Sequence, residues 1–149
     1  MSGRSQPRCY ICRKHADTET PPPGGYLRLG RHFVVHHGPL DMSPKGTLLV
    51  EARRHFLDFG EMRTDEGVEL LSILHQLFPA LKRATGAERV YSLATMAGVP
   101  HFHLWLVPKR RGGRLKGVRY LASRHPALTS KAAEEAMDRV RRALRARRS

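Results

Sequence analysis

The chain has 149 residues, two cysteines and a formal net charge of +14. That length suits a single domain that buries its own core without disulfides, and no apolar run comes near the roughly 20 residues needed to cross a bilayer. The N-terminus carries arginines but no apolar stretch behind them, which argues against a secretory leader and makes the cytoplasm the expected compartment.

The charge is concentrated. Across residues 109–149, fourteen Lys and Arg face only Glu134, Glu135 and Asp138, so this stretch holds +11 of the total. Such a surplus attracts phosphate-bearing partners, nucleotides or nucleic acid. A merely solvated basic helix fits the same count.

In chain order, residues 1–8 are small, polar and basic and are expected to be disordered. Cys9 and Cys12 form a C-x-x-C pair, which in a reducing compartment suits a metal or redox pair. Thr20-Pro-Pro-Pro-Gly-Gly25 breaks any regular structure. β-like runs follow at 26–29 and 32–35, and the turn at 41–46 leads into a third run at 47–53. There Leu48 and Val50 face one way and Thr47, Leu49 and Glu51 the other. So short a connection makes the flanking runs antiparallel neighbours.

Thr64-Asp65-Glu66 opens a helix with a capping hydroxyl and acids in its first turn. Val68, Leu71, Leu74, Phe78 and Leu81 supply the expected apolar stripe, Pro79 a kink, and Thr85-Gly86 the end. Strands are expected at 90–96 and 101–108 around the turn Ala97-Gly-Val-Pro100, then a basic loop at Gly112-Gly113. A last helix over about 129–145 buries Ala133, Met137, Val140 and Leu144. The expected class is therefore α+β: a five-stranded antiparallel sheet, one long helix and a C-terminal helix. The expected division is a domain over 9–128 followed by a basic helix over 129–149.

The chemistry centres on Gly98-Val-Pro-His101-Phe-His103-Leu-Trp105-Leu-Val-Pro108. On a strand, His101, His103 and Trp105 share one face and Phe102, Leu104 and Leu106 the other, with the imidazoles about 7 Å apart. Paired imidazoles so placed bind metal, or one of them serves as a nucleophile. His36 and His37 are adjacent and point to opposite faces. With His15, His32, His75 and His125 they are expected to be structural.

This segment resembles the signature of the histidine triad (HIT) family, His-φ-His-φ-His-φ-φ with φ apolar. Cys9-Tyr-Ile-Cys12 is similar to the C-x-x-C of its zinc-carrying bacterial members, and Leu48-Leu-Val-Glu-Ala-Arg-Arg-His55 to the strand that ends in a basic pair and His. The resemblance covers roughly residues 9–110. It implies a structural zinc on Cys9, Cys12, His55 and His101, a set suited to closed tetrahedral coordination. It also implies His103 as the nucleophile that becomes transiently nucleotidylated, and a homodimer that joins two sheets.

The pattern is altered in places. Trp105 stands for the third His, and indole donates one hydrogen bond but shuttles no proton at neutral pH. Thr47 stands where many members carry a further His, and Met96-Ala-Gly-Val-Pro100 replaces the usual Gly-Gln-Ser stretch. Asp41 matches an acid on the nucleotide's ribose side. Arg111 and Arg114, in the loop after the motif, are candidate phosphate donors. Three functions fit: a HIT-type nucleotide hydrolase or nucleotidyl transferase, a module that binds nucleotide or nucleic acid without turnover, and a HIT fold with a divergent reaction.

Overall fold

The computed structural model describes residues 6–147. Its regular elements are α1 (Tyr10–Ala16), β1 (Phe33–His37), β2 (Leu48–Ala52), α2 (Thr64–Thr85), β3 (Ala87–Leu93), β4 (His103–Arg110), α3 (Gly117–Leu121) and α4 (Ser130–Ala146). The strands form one antiparallel sheet in the order β1-β2-β4-β3.

The sheet has four strands, not the five expected. The run at 26–29 makes only one bridge, Leu27 with Val35. The chain reaches it from three prolines, which lack N–H donors, and from Gly24 and Gly25, both at positive φ (80° and 69°), so the backbone turns away. Beyond it, Glu69 accepts the N–H groups of Arg31 (2.9 Å), His32 (2.7 Å) and Phe33 (3.3 Å), which removes donors a longer ladder would use.

One face of the sheet carries Phe33, Val35, Leu48, Val50, Leu104 and Leu106, all buried against α2 and α4. The stripe that α2 buries is Leu70, Ile73, Leu77 and Leu81. Val68 and Leu71, expected inside, are 67% and 71% exposed. Both series have helical spacing, and packing against α4 selects between them. The helix begins at the residue expected as its cap, and its cap lies one residue earlier. Arg63 is the capping position, its N–H donates to Glu66 (2.9 Å), and Thr64 lies inside the first turn.

Pro79 does not interrupt α2. It cannot donate to the His75 carbonyl four residues back, and the Arg147 guanidinium takes that acceptor instead, at 2.6 Å. The last helix buries Ala133, Ala136, Met137, Val140 and Ala143, with Thr129 accepting from the Ala132 N–H at its start (3.1 Å). The proline-glycine segment packs onto this helix: Arg141 donates to the Gly24 carbonyl, and a Cβ at Gly24 would come within 2.6 Å of Met137 Cγ. Gly24→Ala therefore meets both a positive φ and a clash. It should cost about 1–3 kcal/mol, read as a shift of the urea midpoint with an unchanged m-value, whereas Gly112→Ala, with no atom within 4 Å of its Cβ, should cost less.

Candidate functional site

The two loops that flank the sheet core bring the first group of residues together. Loops 53–56 and 99–102 run side by side: the Phe102 N–H donates to the Phe56 carbonyl (2.7 Å), and the Ala52 N–H to the Phe102 carbonyl (3.1 Å). Phe56 and Phe102 stack at 5.1 Å. Arg54 grips Glu66 of α2 with both Nε and Nη2, each at 2.8 Å, which fixes the segment before His55. Cys9 caps the start of α1 and Cys12 lies within it, both buried with Ile11 and with Val99 packed beside them.

Cys9 Sγ, Cys12 Sγ and the ring nitrogens of His55 and His101 all lie within 4.8 Å of one another. Cys9 Sγ to His101 Nδ1 is 3.4 Å, Cys12 Sγ to His55 Nδ1 and to His101 Nδ1 are both 3.5 Å, and the two Nδ1 atoms are 3.1 Å apart. Bonds of ~2.0–2.3 Å from a tetrahedral zinc would set donor separations of roughly 3.3–3.8 Å. The three sulfur–nitrogen separations fall in that range and the nitrogen–nitrogen one is slightly shorter, so small adjustments seat one such ion. The Nε2 of His101 donates to the Ala52 carbonyl (2.7 Å), which turns Nδ1 toward the other ligands. Burial pushes the His101 pKa down to about 4 and so favours the neutral, ligating imidazole. Burial also pushes the Cys12 thiol up, so a thiolate pair here calls for a cation. Both ring nitrogens of His101 are thereby engaged, and it lies before β4, not on it.

The second group lies on the sheet face opposite the helical core. Cross-strand register places Glu51 opposite His103, and Leu49 opposite both His36 and Trp105. His103 Nδ1 donates to the His101 carbonyl (2.8 Å), which leaves Nε2 as the basic nitrogen. The His103 and Trp105 rings are 6.4 Å apart and both line a hollow of about 820 Å³. Leu49, Glu51 and His36 are at its floor, and Tyr10, Lys14, Pro22 and Leu40 contribute to its walls.

The structure adds residues that the sequence reading left out. Glu51 is 1% exposed and is held by Lys14 at Oε1, by His15 Nε2 at Oε2 (2.8 Å) and by His36 Nε2 at Oε1 (2.9 Å). His36 Nδ1 donates to the His37 carbonyl (2.7 Å), and Lys14 Nζ stands 3.0 Å from His36 Nε2, both directed at the same Glu51 oxygen. Burial opposes ionisation of Glu51, but the hydrogen bonds from His15 and His36 and the Lys14 charge outweigh it and hold the carboxyl well below its ordinary range. The ring of Tyr26 lies edge-on to His36 at 5.6 Å. Burial, with the Glu51 charge beside it, pushes the Tyr26 hydroxyl up to about 12. A signal for this cluster was present: a carboxylate inside the apolar run at 47–52 needs buried cations, and Lys14-His15 follows the C-x-x-C.

The remaining candidates are dispersed. Asp41 is exposed on the turn between Leu40 and Met42, which both border the hollow. Thr47 is fully buried and donates to the Pro44 carbonyl (2.8 Å), so it braces the turn. His37 braces the same turn, donating from Nδ1 to the Gly38 carbonyl (2.8 Å) and accepting at Nε2 from the Gly46 N–H (3.0 Å). Arg111 and Arg114 follow the end of β4, whose last residue, Arg110, is roughly 23 Å along the strand from His103 at ~3.3 Å per residue, and they line a separate hollow.

No family model and no curated relative matches the sequence. The fold does match solved structures. A HIT-like protein of Bartonella henselae is similar over 94% of this chain and 98% of its own, at 14% identity and a TM-score of 0.72. A zinc-bound histidine triad family protein of Mycobacterium smegmatis is similar over 95% and 96%, at 19% identity and 0.71. A hypothetical histidine triad nucleotide-binding protein of Sulfolobus tokodaii is similar over 81% and 83%, at 17% identity and 0.65. The chain therefore has the α+β fold of the histidine triad proteins.

Proposed function

We propose that the chain is a HIT-type nucleotide hydrolase or nucleotidyl transferase, acting on a nucleoside phosphate ester, phosphoramidate or dinucleoside polyphosphate. The observation that carries this reading is His103, pinned through Nδ1 to the His101 carbonyl in the wall of a large hollow. Its Nε2 lone pair attacks the α-phosphorus and forms a P–N bond, while the bond to the leaving group breaks and the departing atom takes a proton from water. Water, or an acceptor hydroxyl, then displaces the histidine and carries off the nucleotidyl group. His101 contributes through its carbonyl, which fixes the His103 tautomer. Trp105 forms a flat wall suited to a base, Asp41 reaches the ribose side, and Thr47 shapes the turn behind it. Arg111 and Arg114 line the other hollow and lie too far along β4 to contact the phosphates of a nucleotide held at His103.

Zinc on Cys9, Cys12, His55 and His101 is structural in this reading, since four protein donors leave no open position. Homodimer formation fits the exposed Val68 and Leu71 on α2 and the position of β3 at a sheet edge. Cytoplasmic residence fits the two free cysteines. No helix among the described residues is long and apolar enough to cross a membrane. A second reading, a binding module without turnover, is favoured by Trp105 in place of a proton donor.

Labelled adenylyl phosphoramidate separates the two. The wild type should acquire label on His103 and release nucleoside monophosphate, and His103→Ala should do neither while still binding nucleotide. Tight nucleotide binding by the wild type with no label and no release would sink the enzyme and leave the module.

A further inference from the structure

Between Glu88 and Glu134 the chain contains no Asp or Glu, and residues 109–125 carry seven Lys and Arg. The end of β4, the loop 111–116, α3 and the segment 122–128 fold this stretch around a second hollow of about 620 Å³. Pro44, Pro108, Leu115, Tyr120 and Leu128 give it apolar lining, and Lys45, Arg110, Arg111 and Arg114 line it beside them with no carboxylate. Two cations there are already committed. Lys45 pairs with Glu135 (3.1 Å), and Lys109 pairs with Glu88 (3.0 Å) and donates to the carbonyls of Arg110 (3.1 Å) and Gly112 (3.0 Å).

Arg110, Arg111 and Arg114 are exposed and make no ion pair within 4 Å among the described residues. Glu88 feels the charge of Arg111, but its carboxylate is taken by Lys109. Gly112 and Gly113 are both left-handed (φ 81° and 77°) with open space where a Cβ would stand, so a ligand can approach the backbone between the arginines. Tyr120 is fixed by its hydroxyl on the Pro108 carbonyl (2.9 Å), with the His125 ring edge-on at 5.2 Å.

We propose that this hollow is a binding site for single-stranded nucleic acid, with phosphates on Arg110, Arg111 and Arg114 and bases over the Tyr120 and His125 rings. Three unneutralised guanidiniums fit successive phosphates, and apolar and aromatic surface beside them fits unpaired bases rather than a bare anion or an acidic peptide. A duplex keeps its bases stacked inside and offers nothing to such a surface. The site is distinct from the His103 hollow and from α4, where Arg141, and Arg147 just past the helix end, are engaged by Asp138, Gly24 and His75.

The test is fluorescence anisotropy of a labelled oligouridylate 15-mer across a salt titration, with each variant's fold checked by circular dichroism and Tm. The triple variant Arg110→Ala/Arg111→Ala/Arg114→Ala should bind at least ~10-fold more weakly near 0.15 M salt. It should also lower the slope of log K against log salt by about 2, at ~0.7 per phosphate lost. Removing the same charge from α4, with Arg139→Ala/Arg142→Ala/Arg145→Ala, should change affinity less than about 3-fold. Inorganic polyphosphate and a duplex of equal length should compete poorly. No binding, an α4 variant as weak as the Arg110/Arg111/Arg114 variant, or polyphosphate or duplex competing as well as the single strand would each overturn the proposal. His103→Ala should bind the oligonucleotide like the wild type, so this result and the labelling result fail independently.

Discussion

Removing the metal, by chelator or by Cys12→Ser, should lower Tm by about 10–15 °C. The purified wild type should contain about one zinc per chain. The four donors come from three separate segments, α1, the loop at His55 and the loop at His101. Without an ion, two buried sulfurs, the buried His101 Nδ1 and the half-buried His55 Nδ1 face one another across the centre of the site. Loss of a metal site belongs among the changes that cost on the order of 4–5 kcal/mol, and at this chain length each kcal/mol moves Tm by about 2–4 °C. Scanning calorimetry with and without a chelator, paired with elemental analysis, reads both quantities. A metal-free protein with an unchanged melting curve would remove the four residues from consideration as a metal centre.

Glu51→Gln should be the most damaging single-atom exchange outside that centre, at roughly 2–4 kcal/mol. It leaves the Lys14 ammonium and the imidazoles of His15 and His36 around a neutral amide that offers one acceptor instead of two. Breaking a buried pair costs about 3–5 kcal/mol, and the partial exposure of Lys14 reduces that. The pH dependence gives a second readout. Because the folded pKa of Glu51 is depressed, its contribution is fully present above the unfolded carboxylate range near 4.5 and is lost as pH falls through the folded value. The wild type should lose stability below about pH 4.5, and the variant should show a shallower acid limb. Equal urea midpoints for both proteins at pH 7, with parallel acid limbs, would show that the cluster contributes nothing.

The zinc-type ligand set was legible because Cys9, Cys12, His55 and His101 sit at positions that a known pattern assigns. The antiparallel pairing of β1 with β2 was legible because the turn between them is short. The phase of α2 was not. Residues 68, 71, 74, 78 and 81 and residues 70, 73, 77 and 81 both keep helical spacing, and only the position of α4 and the sheet decides which series is inside. The fifth strand failed for a tertiary reason, because Glu69, far along the chain, takes the backbone donors of residues 31–33. The seven residues of α1 bury only Ile11 and Cys12, too few for a period to show. Since α1 was not foreseen, neither was the delivery of Lys14 and His15 to Glu51.

Pro79 has a further effect on how the helices can dock. An uninterrupted ladder would let α4 slide along α2 by a turn and pay only in side-chain fit. The bare carbonyl of His75 breaks that degeneracy, because only one alignment brings Arg147 to it. A shift of one turn, about 5.4 Å, would leave a helix acceptor without its partner. The proline thus acts as an index mark. Pro79→Ala would restore the internal hydrogen bond and erase the mark, and alternative alignments of the last helix would become closer in energy to the native one.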